Sequence, residues 1–418
     1  MAEDKLAFLA ASNLTEATPI KLKPSSRGDW LDLGDDAFGD FLPIADAATK
    51  AAPPGSRDRA IFKLYSLGVS TNRDEWVYDR NHDHLSSKML SFIDAYDATT
   101  TSAQDYDDTI KWSRNLKRRL SQGRREAFDV QKQRLSLYRP FSTRWLYQSS
   151  LYVDELGSAD AISPPGMSNQ LICFPAGGRL DFVPFSTAAL PSLTVLSLDA
   201  NQCLPRFRYS KSGERFDNIT DWALNKFIAH YGKKGMSKDA IFAYCYAVLH
   251  DPVYREKYAL NLKREFPRIP FYSDFAQWAA WGEALMKLHI EYEQVEPFAL
   301  QRIETPAKRA AGTHPKPVLR SNPETGSIMI DADTQLSGIP PEAWEYRLGN
   351  RSGIDWVLDQ HKEKKPRDPT IAAKFNTYRF ADYKEPCIDL LAKVVTVSLE
   401  TVKITKAMGE LDRADWEG

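Results

Sequence analysis

The sequence predicts an α+β protein with three kinds of segment: a β-rich N-terminal half with irregular loops, a central bundle-like helical segment and a mixed α/β C-terminal part. Two observations lead to this fold class. Between residues 134 and 209, short apolar stretches are separated by Pro, Gly and Ser, which is typical of strands joined by turns. Between residues 219 and 298 the apolar residues recur at helical spacing instead. The later residues mix both patterns, which favours α+β over a regular α/β alternation.

Length and composition limit the classes of protein to which this chain can belong. A chain of 418 residues with 43% hydrophobic residues exceeds one ordinary core. It contains no apolar run of roughly 18 residues, and its first residues lack the apolar core of a signal peptide. The four cysteines are scattered without a CxxC pair, so neither a zinc site nor a disulfide framework is predicted. These features predict a cytoplasmic protein without a membrane segment.

Four units are predicted along the chain. The first is an acidic tail, because six aspartates and no base lie between Asp29 and Asp46 and a Pro-Pro-Gly turn follows. A β-rich part that carries a basic stretch comes next, and a helical part and a mixed part follow it. Their predicted bounds are 1–58, 59–215, 216–300 and 301–418.

The N-terminal elements follow from local patterns. Ala60–Asp79 has two apolar runs around a polar loop, which predicts a buried strand, an exposed loop and a second strand. Leu85–Tyr96 has helical spacing. Asp105–Leu120 is predicted to be a helix because acids lie near its start and bases near its end, as the helix dipole favours.

The later elements are mostly helices. Asp251-Pro252 is a helix start signal, with Asp as N-cap and Pro in the first turn. Short strands are predicted at PVLRS and SIMID, between residues 317 and 331. The predicted helices are Asp221–Tyr231, Ser237–His250, Pro252–Phe266, Ser273–Glu291, Gly353–His361 and Ile388–Val397.

The segment from Lys111 to Arg144 is the strongest functional signal. It holds eleven Lys and Arg against two acids, in a protein whose formal net charge is −1, and aromatic residues are interleaved with the bases. Cations beside planar apolar groups suit a phosphate backbone and base edges. We therefore hypothesise one cationic, nucleic-acid-binding face. Its candidate contacts are Lys117, Arg118, Arg119, Arg124, Arg125, Arg139 and Arg144.

Candidates outside this stretch lie in polar loops. Asn72 and Arg73 are in the loop after the first predicted strand, Arg268 follows a proline, and Asn350 and Arg351 lie in a GNRSG turn. Asn and Arg can read adenine and guanine edges. The alternatives stay open: Asn is an ordinary turn residue, and Arg can form internal ion pairs or extend its stem over a core.

The sequence lacks the motifs that would indicate catalysis. It contains no G-x-G-x-x-G, Walker A, H-E-x-x-H or G-x-S-x-G motif. The seven histidines show no metal-ligand spacing. We therefore predict neither an enzyme nor a cofactor or metal site in this chain. Docking of the basic stretch on an acidic partner protein is the alternative to nucleic-acid binding.

Four blocks of sequence carry a resemblance to a known family. They are GVSTNRDEWVYD (68–79), YRPFSTRWLY (138–147), DPVYREKYALNLKREFPRIPF (251–271) and YRLGNRSGIDWVLDQH (346–361). In this order they resemble blocks of the C-terminal specificity region, or target-recognition domain, of type ISP restriction–modification enzymes. One position departs from the pattern, because Ser142 stands where the family commonly has Asp after YRPF.

The resemblance implies more than the residues alone. Members of this family are single long polypeptides that join a nuclease, a translocating ATPase, an adenine-N6 methyltransferase and the specificity region. It implies that this chain reads a double-stranded DNA site and positions the DNA for the upstream methyltransferase and helicase–nuclease domains. S-adenosylmethionine, ATP and magnesium would serve those domains. Residues 1–58 would be the trailing edge of the methyltransferase core.

Overall fold

The α+β fold is confirmed in the computed structural model, which describes residues 24, 34–53, 55–99, 106, 108–176, 181–196, 199–308, 310 and 312–411. Helices and short strands alternate irregularly, and the strands form open sheets. The helices are α1 (Ala47–Ala51), α2 (Asp74–Val77), α3 (His82–Ala98), α4 (Arg114–Ser121), α5 (Ala159–Ile162), α6 (Asp221–Tyr231), α7 (Lys238–His250), α8 (Pro252–Lys257), α9 (Ala259–Leu262), α10 (Phe275–Ile290), α11 (Gly353–His361) and α12 (Lys384–Gly409).

The strands are short. They are β1 (Leu42–Pro43), β2 (Ser66–Leu67), β3 (Tyr78–Asp79), β4 (Gln133–Arg139), β5 (Ser142–Tyr147), β6 (Leu171–Pro175), β7 (Phe185–Thr187), β8 (Leu190–Pro191), β9 (Asn201–Pro205), β10 (Phe207–Tyr209), β11 (Arg215–Asp217), β12 (Arg268–Ile269), β13 (Gln301–Glu304), β14 (Pro317–Asn322), β15 (Ser327–Asp331), β16 (Thr334–Ser337), β17 (Arg347–Leu348) and β18 (Arg351–Ser352).

Within the described residues, the strands form three four-stranded sheets and smaller pairs. The sheet orders are β3-β5-β4-β8, β2-β9-β6-β7 and β13-β16-β15-β14. The first sheet combines antiparallel pairs with a parallel contact between β4 and β8. This sheet brings the end of the first sequence block, in β3, beside the second block, in β4 and β5.

A tight turn joins β4 to β5. Arg139 pairs with Ser142, so Pro140 and Phe141 form the turn. Phe141 has a φ of 54°, a backbone conformation that costs free energy for a bulky residue. Its ring is buried and lies 5.2 Å from the Tyr292 ring. Burial of this aromatic ring offsets the cost of the turn and fixes the direction in which the flanking arginines leave it.

Among the described residues, two hydrophobic clusters form the core. One lies under the first sheet, α3 and α12. The other surrounds α7 and α10, which approach so closely that a Cβ on Gly282 would lie 1.9 Å from the Ala243 carbonyl oxygen. Only glycine allows that contact. The division into four units stays a prediction. Each cluster draws residues from several of the predicted units, so the clusters do not follow the predicted bounds.

Several predicted elements are confirmed at their bounds. Asp221–Tyr231 and Gly353–His361 form helices as predicted. Asp251 caps α8, accepting a hydrogen bond from the Val253 backbone N–H at 3.0 Å with Pro252 in the first turn. Three of the strands predicted between residues 134 and 209 (RLSLY, RWLYQ and NQLICFP) are present as β4, β5 and β6. RLDFVPF contributes only its last residue to β7, and residues 193–196 of LTVLSLD lie in turns and bends.

Other elements differ from the prediction. The second strand of Ala60–Asp79 is only two residues long, because Asp74–Val77 turns as a helix. The helix predicted from Asp105 begins at Arg114, where the Ser113 hydroxyl caps it; residues 105 and 107 lie outside the described part. Pro252–Phe266 divides into α8 and α9, and α12 extends well beyond both predicted ends.

Part of the predicted acidic tail packs on the fold within residues 34–53 and 55–58. The Phe38 ring is buried and lies 5.2 Å from the Tyr258 ring. Asp58 is also buried, and it pairs with Lys63 at 2.9 Å. The aromatic and apolar residues between the aspartates therefore anchor this segment to the fold, which the acid count alone did not indicate.

Candidate functional site

A cleft with a volume of about 670 Å³ gathers several of the predicted site residues. It lies where the β4–β5 turn, the C-terminal end of α11 and the segment 362–383 meet, and we call it the basic cleft. Eight basic residues line it against five acidic ones. The basic residues are Arg80, Lys88, Arg139, Arg144, Arg351, Lys362, Lys364 and Lys365.

Tyr138 lies between two of these cations. The guanidinium carbons of Arg139 and Arg144 each lie 4.1 Å from the centroid of its ring. The Tyr138 hydroxyl donates a hydrogen bond to Asp74 Oδ2 at 3.1 Å. The electron-rich ring attracts both cations, so it holds two like charges close together that would otherwise repel each other.

Arg144 is also held from the side of α11. Its Nη2 donates to Gln360 Oε1 at 3.4 Å, while its Nε is buried without a hydrogen-bond partner among the described residues. Burial lowers the pKa of Arg144 to about 10, so the side chain stays charged at neutral pH. A buried donor without an acceptor costs about 1–3 kcal/mol, and an incoming acceptor that draws the side chain outward would relieve that cost.

The fourth sequence block supplies the opposite side of the basic cleft. Arg351 pairs with Asp359 at 3.3 Å, and Lys364 pairs with the same carboxylate oxygen at 2.9 Å. Burial opposes the charge on Asp359, but the hydrogen bond from Lys364 and the nearby positive charges outweigh it and lower the pKa. Asn350 is exposed at the rim.

The charge balance of the basic cleft favours an anionic ligand. Asp79 pairs with buried Lys88 at 2.8 Å, and the Asp359 carboxylate is shared between two cations. Lys362 and Lys365 are exposed on the cleft wall. The cations that face the opening therefore exceed the acids available to neutralise them, and a polyanion would supply the missing charge.

Two of the predicted contact residues are internal. Arg73 is 1% exposed and donates to the Tyr152 and Lys111 carbonyl oxygens and to the Ser113 hydroxyl. Arg119 donates to the carbonyl oxygens of Leu151, Val153 and Asp154 at 2.8–3.0 Å. Both guanidinium groups close the loop around residues 151–154, so we remove them from the candidate site.

Arg268 also forms hydrogen bonds within the protein. Its Nη1 donates to the carbonyl oxygens of Gly39 at 2.9 Å and Phe41 at 3.2 Å. These bonds tie the N-terminal segment to β12. The rigid loop between the two prolines thus places Arg268 for an internal role, and it does not line the basic cleft.

The remaining predicted bases lie on and after α4. Lys117 lies 4.0 Å from the Tyr106 ring centroid, and Arg125 pairs with Asp97 at 3.2 Å. Arg118 and Arg124 are exposed. Asn72, with a left-handed φ of 58°, is exposed in its loop. None of these residues lines the basic cleft.

The hypothesis of one cationic face therefore does not hold for every base of the stretch Lys111–Arg144. Arg119 is bound to carbonyl oxygens, and Arg134 is likewise held by Ser163. Lys132 pairs with Glu126 at 2.9 Å. Of the eleven bases in that stretch, Arg139 and Arg144 line the basic cleft. Spacing in the sequence could not distinguish internal from exposed guanidinium groups.

Four of the predicted contact residues share one site in the structure. Arg139, Arg144, Asn350 and Arg351 all line the basic cleft. The structure adds residues that sequence reasoning missed, notably Arg80, Gln360 and the three lysines after α11. The run KEKKPR was visible in the sequence as a basic signal but was not assigned. Tyr138 is one of the aromatic residues interleaved with the bases of Lys111–Arg144, whereas Gln360 had no signal of its own.

Two kinds of feature are absent from the described residues. No group of three or more His, Cys, Asp and Glu side chains there is arranged to hold a metal ion. Within the same residues, none of the helices combines the length and apolar character that crossing a membrane requires. His82 and His84 lie in the first turn of α3, which the Asn81 side chain caps.

Comparison with known proteins identifies the class of protein. Residues 60–390 match the family described as the type ISP C-terminal specificity domain. The chain therefore belongs to that family of specificity domains. None of the curated proteins matches it.

Solved structures with the same fold come from DNA complexes. A cryo-EM structure of a DrdV–DNA complex is 42% identical and has a TM-score of 0.88, covering 98% of this chain and 42% of that chain. A nuclease-deletion mutant of the type ISP restriction–modification enzyme LlaGI with a DNA substrate mimic is 24% identical, with a TM-score of 0.76, covering 98% of this chain and 38% of that one.

The third structure is the ATP-dependent type ISP restriction–modification enzyme LlaBIII bound to DNA. It is 21% identical with a TM-score of 0.77, covering 94% of this chain and 25% of that chain. The likeness to LlaGI and LlaBIII shows a shared fold. This chain spans less than half the length of each of the three matched chains.

Proposed function

We propose that this chain is the double-stranded DNA recognition module of a type ISP restriction–modification enzyme, and that DNA lies against the basic cleft. The observation that carries the proposal is the convergence of Arg139, Arg144 and Arg351, from two separate sequence blocks, on a cleft with eight bases and five acids. Guanidinium forks suit base edges and phosphates, and a cationic rim suits the backbone.

Different residues would do different work. The arginines of the basic cleft and Asn350 would contact base edges, because several of them are held by neighbouring groups. Lys362, Lys364 and Lys365, on the cleft wall, would contact phosphates, which need charge more than exact placement. Lys117, Arg118, Arg124, Arg125 and Asn72 would at most add phosphate contacts from a separate surface.

The DNA complexes of the related proteins support this proposal. The proposal also assigns this chain a role within a complete restriction–modification enzyme. In such an enzyme the module would position the duplex while other domains methylate adenine at N6 or cut DNA. We propose no catalytic residue in this chain. S-adenosylmethionine, ATP and magnesium would then serve the methyltransferase and helicase–nuclease domains, which are also the expected protein partners.

The test is binding of the full chain to a randomised pool of duplexes at several salt concentrations. We expect enrichment of one asymmetric sequence. We also expect affinity to fall with a log–log slope of about −0.9 for each phosphate contacted. If the chain enriches no sequence and its affinity for DNA is negligible at low salt, the proposal fails. Docking on an acidic protein would then account for the basic residues.

A further inference from the structure

Gln360 connects two sides of the basic cleft through its amide group. Its side chain is buried. The amide Nε2 donates to Asp359 Oδ2 at 3.0 Å, and Oε1 accepts from Arg144 Nη2 at 3.4 Å. This orientation is the one that the partners require, because the reversed amide would set its N–H groups against a guanidinium and its oxygen against a carboxylate.

The connection continues beyond both ends of Gln360. On one side, Asp359 Oδ2 also binds Arg351 at 3.3 Å. On the other side, Arg144 shares the Tyr138 ring with Arg139, at 4.1 Å each. The Tyr138 hydroxyl is fixed by Asp74 at 3.1 Å. Gln360 and Tyr138 thus each lie between charged groups in the connection from Arg351 to Arg139, and three sequence blocks meet along it.

We propose that Gln360 and Tyr138 are positioning residues for DNA site selection, which tie the arginines of two distant segments into one recognition unit. This inference rests on the proposed function. Neither side chain needs to touch a base, because each acts on the arginines that do. Guanidinium groups held in fixed directions discriminate between base edges, whereas mobile ones attract any duplex.

The two residues act in different ways. Tyr138 supplies a ring that lets Arg139 and Arg144 lie close together despite their charges. Gln360 sets the rotation of Arg144 and relates it to the Arg351–Asp359 pair. Loss of either should therefore reduce selectivity for the preferred site more than general attraction to DNA, which depends on the number of phosphates contacted.

The test is a double-mutant cycle in the full chain, with a pool-selected duplex and a scrambled duplex of equal length as probes. Gln360→Met keeps the side-chain length and removes both polar contacts. We expect it to weaken binding to the selected duplex about fivefold to tenfold and to the scrambled duplex less than about twofold. The salt slope should stay unchanged. In an Arg144→Ala background, Gln360→Met should have no further effect.

Tyr138 provides a second and independent set of variants. Tyr138→Phe keeps the ring and removes only the bond to Asp74, so it should retain most of the selectivity. Tyr138→Leu should reduce the selectivity to the same extent as Gln360→Met. Circular dichroism and urea unfolding of each variant would identify any that misfolds, and the Phe variant is the conservative partner that keeps the fold.

The outcomes separate this inference from the proposed function. If the wild-type chain binds neither duplex, both fail. If it selects a sequence but Gln360→Met and Arg144→Ala have additive effects, the positioning role is overturned while DNA recognition stands. Equal weakening on selected and scrambled duplexes would also overturn it, because that result would show a general structural or electrostatic role.

Discussion

Phe141 and Gly353, which are both buried, pack against each other. A Cβ on Gly353 would lie 3.2 Å from Phe141 Cε2 and 3.1 Å from Val394 Cγ1. Phe141 ends the turn that carries Arg139 and Arg144, and Gly353 begins α11, which carries Asp359 and Gln360. This packing therefore sets the distance between the two sides of the basic cleft.

Gly353→Ala tests that packing. Alanine favours the helix by about 1 kcal/mol, but its methyl group must displace side chains in a packed core, which costs about 1–3 kcal/mol. We expect a net decrease of about 1 kcal/mol in the free energy of unfolding, measured with urea. The matched control is Gly39→Ala, where nothing lies within 4 Å of the new methyl group. An equal change in the two variants would refute the close packing.

Arg73→Ala should destabilise the protein strongly. The substitution leaves the Tyr152 and Lys111 carbonyl oxygens without their donor inside the protein, which we expect to cost about 3 kcal/mol. Urea unfolding would measure the decrease. Arg118→Ala, on the exposed face of α4, should change stability by less than about 0.5 kcal/mol. A stable Arg73→Ala protein with weakened DNA binding would return Arg73 to the set of DNA-binding residues.

Ser142→Ala should be nearly neutral. The Ser142 hydroxyl is buried without a hydrogen-bond partner among the described residues, so its removal takes away an unsatisfied group. We expect a change in the free energy of unfolding within about 0.5 kcal/mol and no change in DNA affinity. A decrease above about 2 kcal/mol would mean that the hydroxyl has an acceptor or a bound water that stabilises the turn.

Stability should fall as the pH decreases from 7 to 5. Burial lowers the pKa of His289 to about 3, and burial together with the Arg80 charge lowers the pKa of His361 to about 4. In the unfolded chain both titrate near pH 6.5. Below that value the unfolded state binds more protons, so each histidine removes up to about 1.4 kcal/mol per pH unit.

Urea unfolding at pH 7, 6 and 5 measures this dependence. His289→Gln should flatten it, and His314→Gln, at an exposed position, should leave it unchanged. Equal stability of the wild-type protein at pH 7 and pH 5 would contradict the buried, neutral state of the two histidines.

Local patterns predicted much of the fold because their causes are local. The cap at Asp251 and the apolar spacing of α6 and α11 depend on neighbours within one or two turns. The start of α4 was missed because charges at both ends suggested a longer helix, whereas the Ser113 hydroxyl caps the helix at its N-terminus. The division of Pro252–Phe266 falls at Tyr258, whose ring packs on Phe38 from a segment distant in the sequence.

The site was predictable only in part. Arg73 and Arg139 look alike in the sequence, since each is an arginine beside a turn. Burial alone distinguishes them: one closes an internal loop, and the other faces the basic cleft. The cleft itself forms from segments more than 200 residues apart, such as Arg144 and Gln360. The spacing of residues within one sequence block cannot predict a contact between two distant blocks.

The most direct test of the basic cleft compares two triple variants in their salt dependence. One replaces Lys362, Lys364 and Lys365 with alanine, and the other replaces Lys117, Arg118 and Arg124. Affinity for the selected duplex, measured from low to high salt, gives the log–log slope of each. Each phosphate that the protein neutralises contributes about 0.9 to the slope. The cleft variant should therefore have a slope that is shallower than that of the wild type by about 2–3. The α4 variant should have the slope of the wild type. A flattened slope in the α4 variant with an unchanged slope in the cleft variant would contradict DNA binding at this cleft.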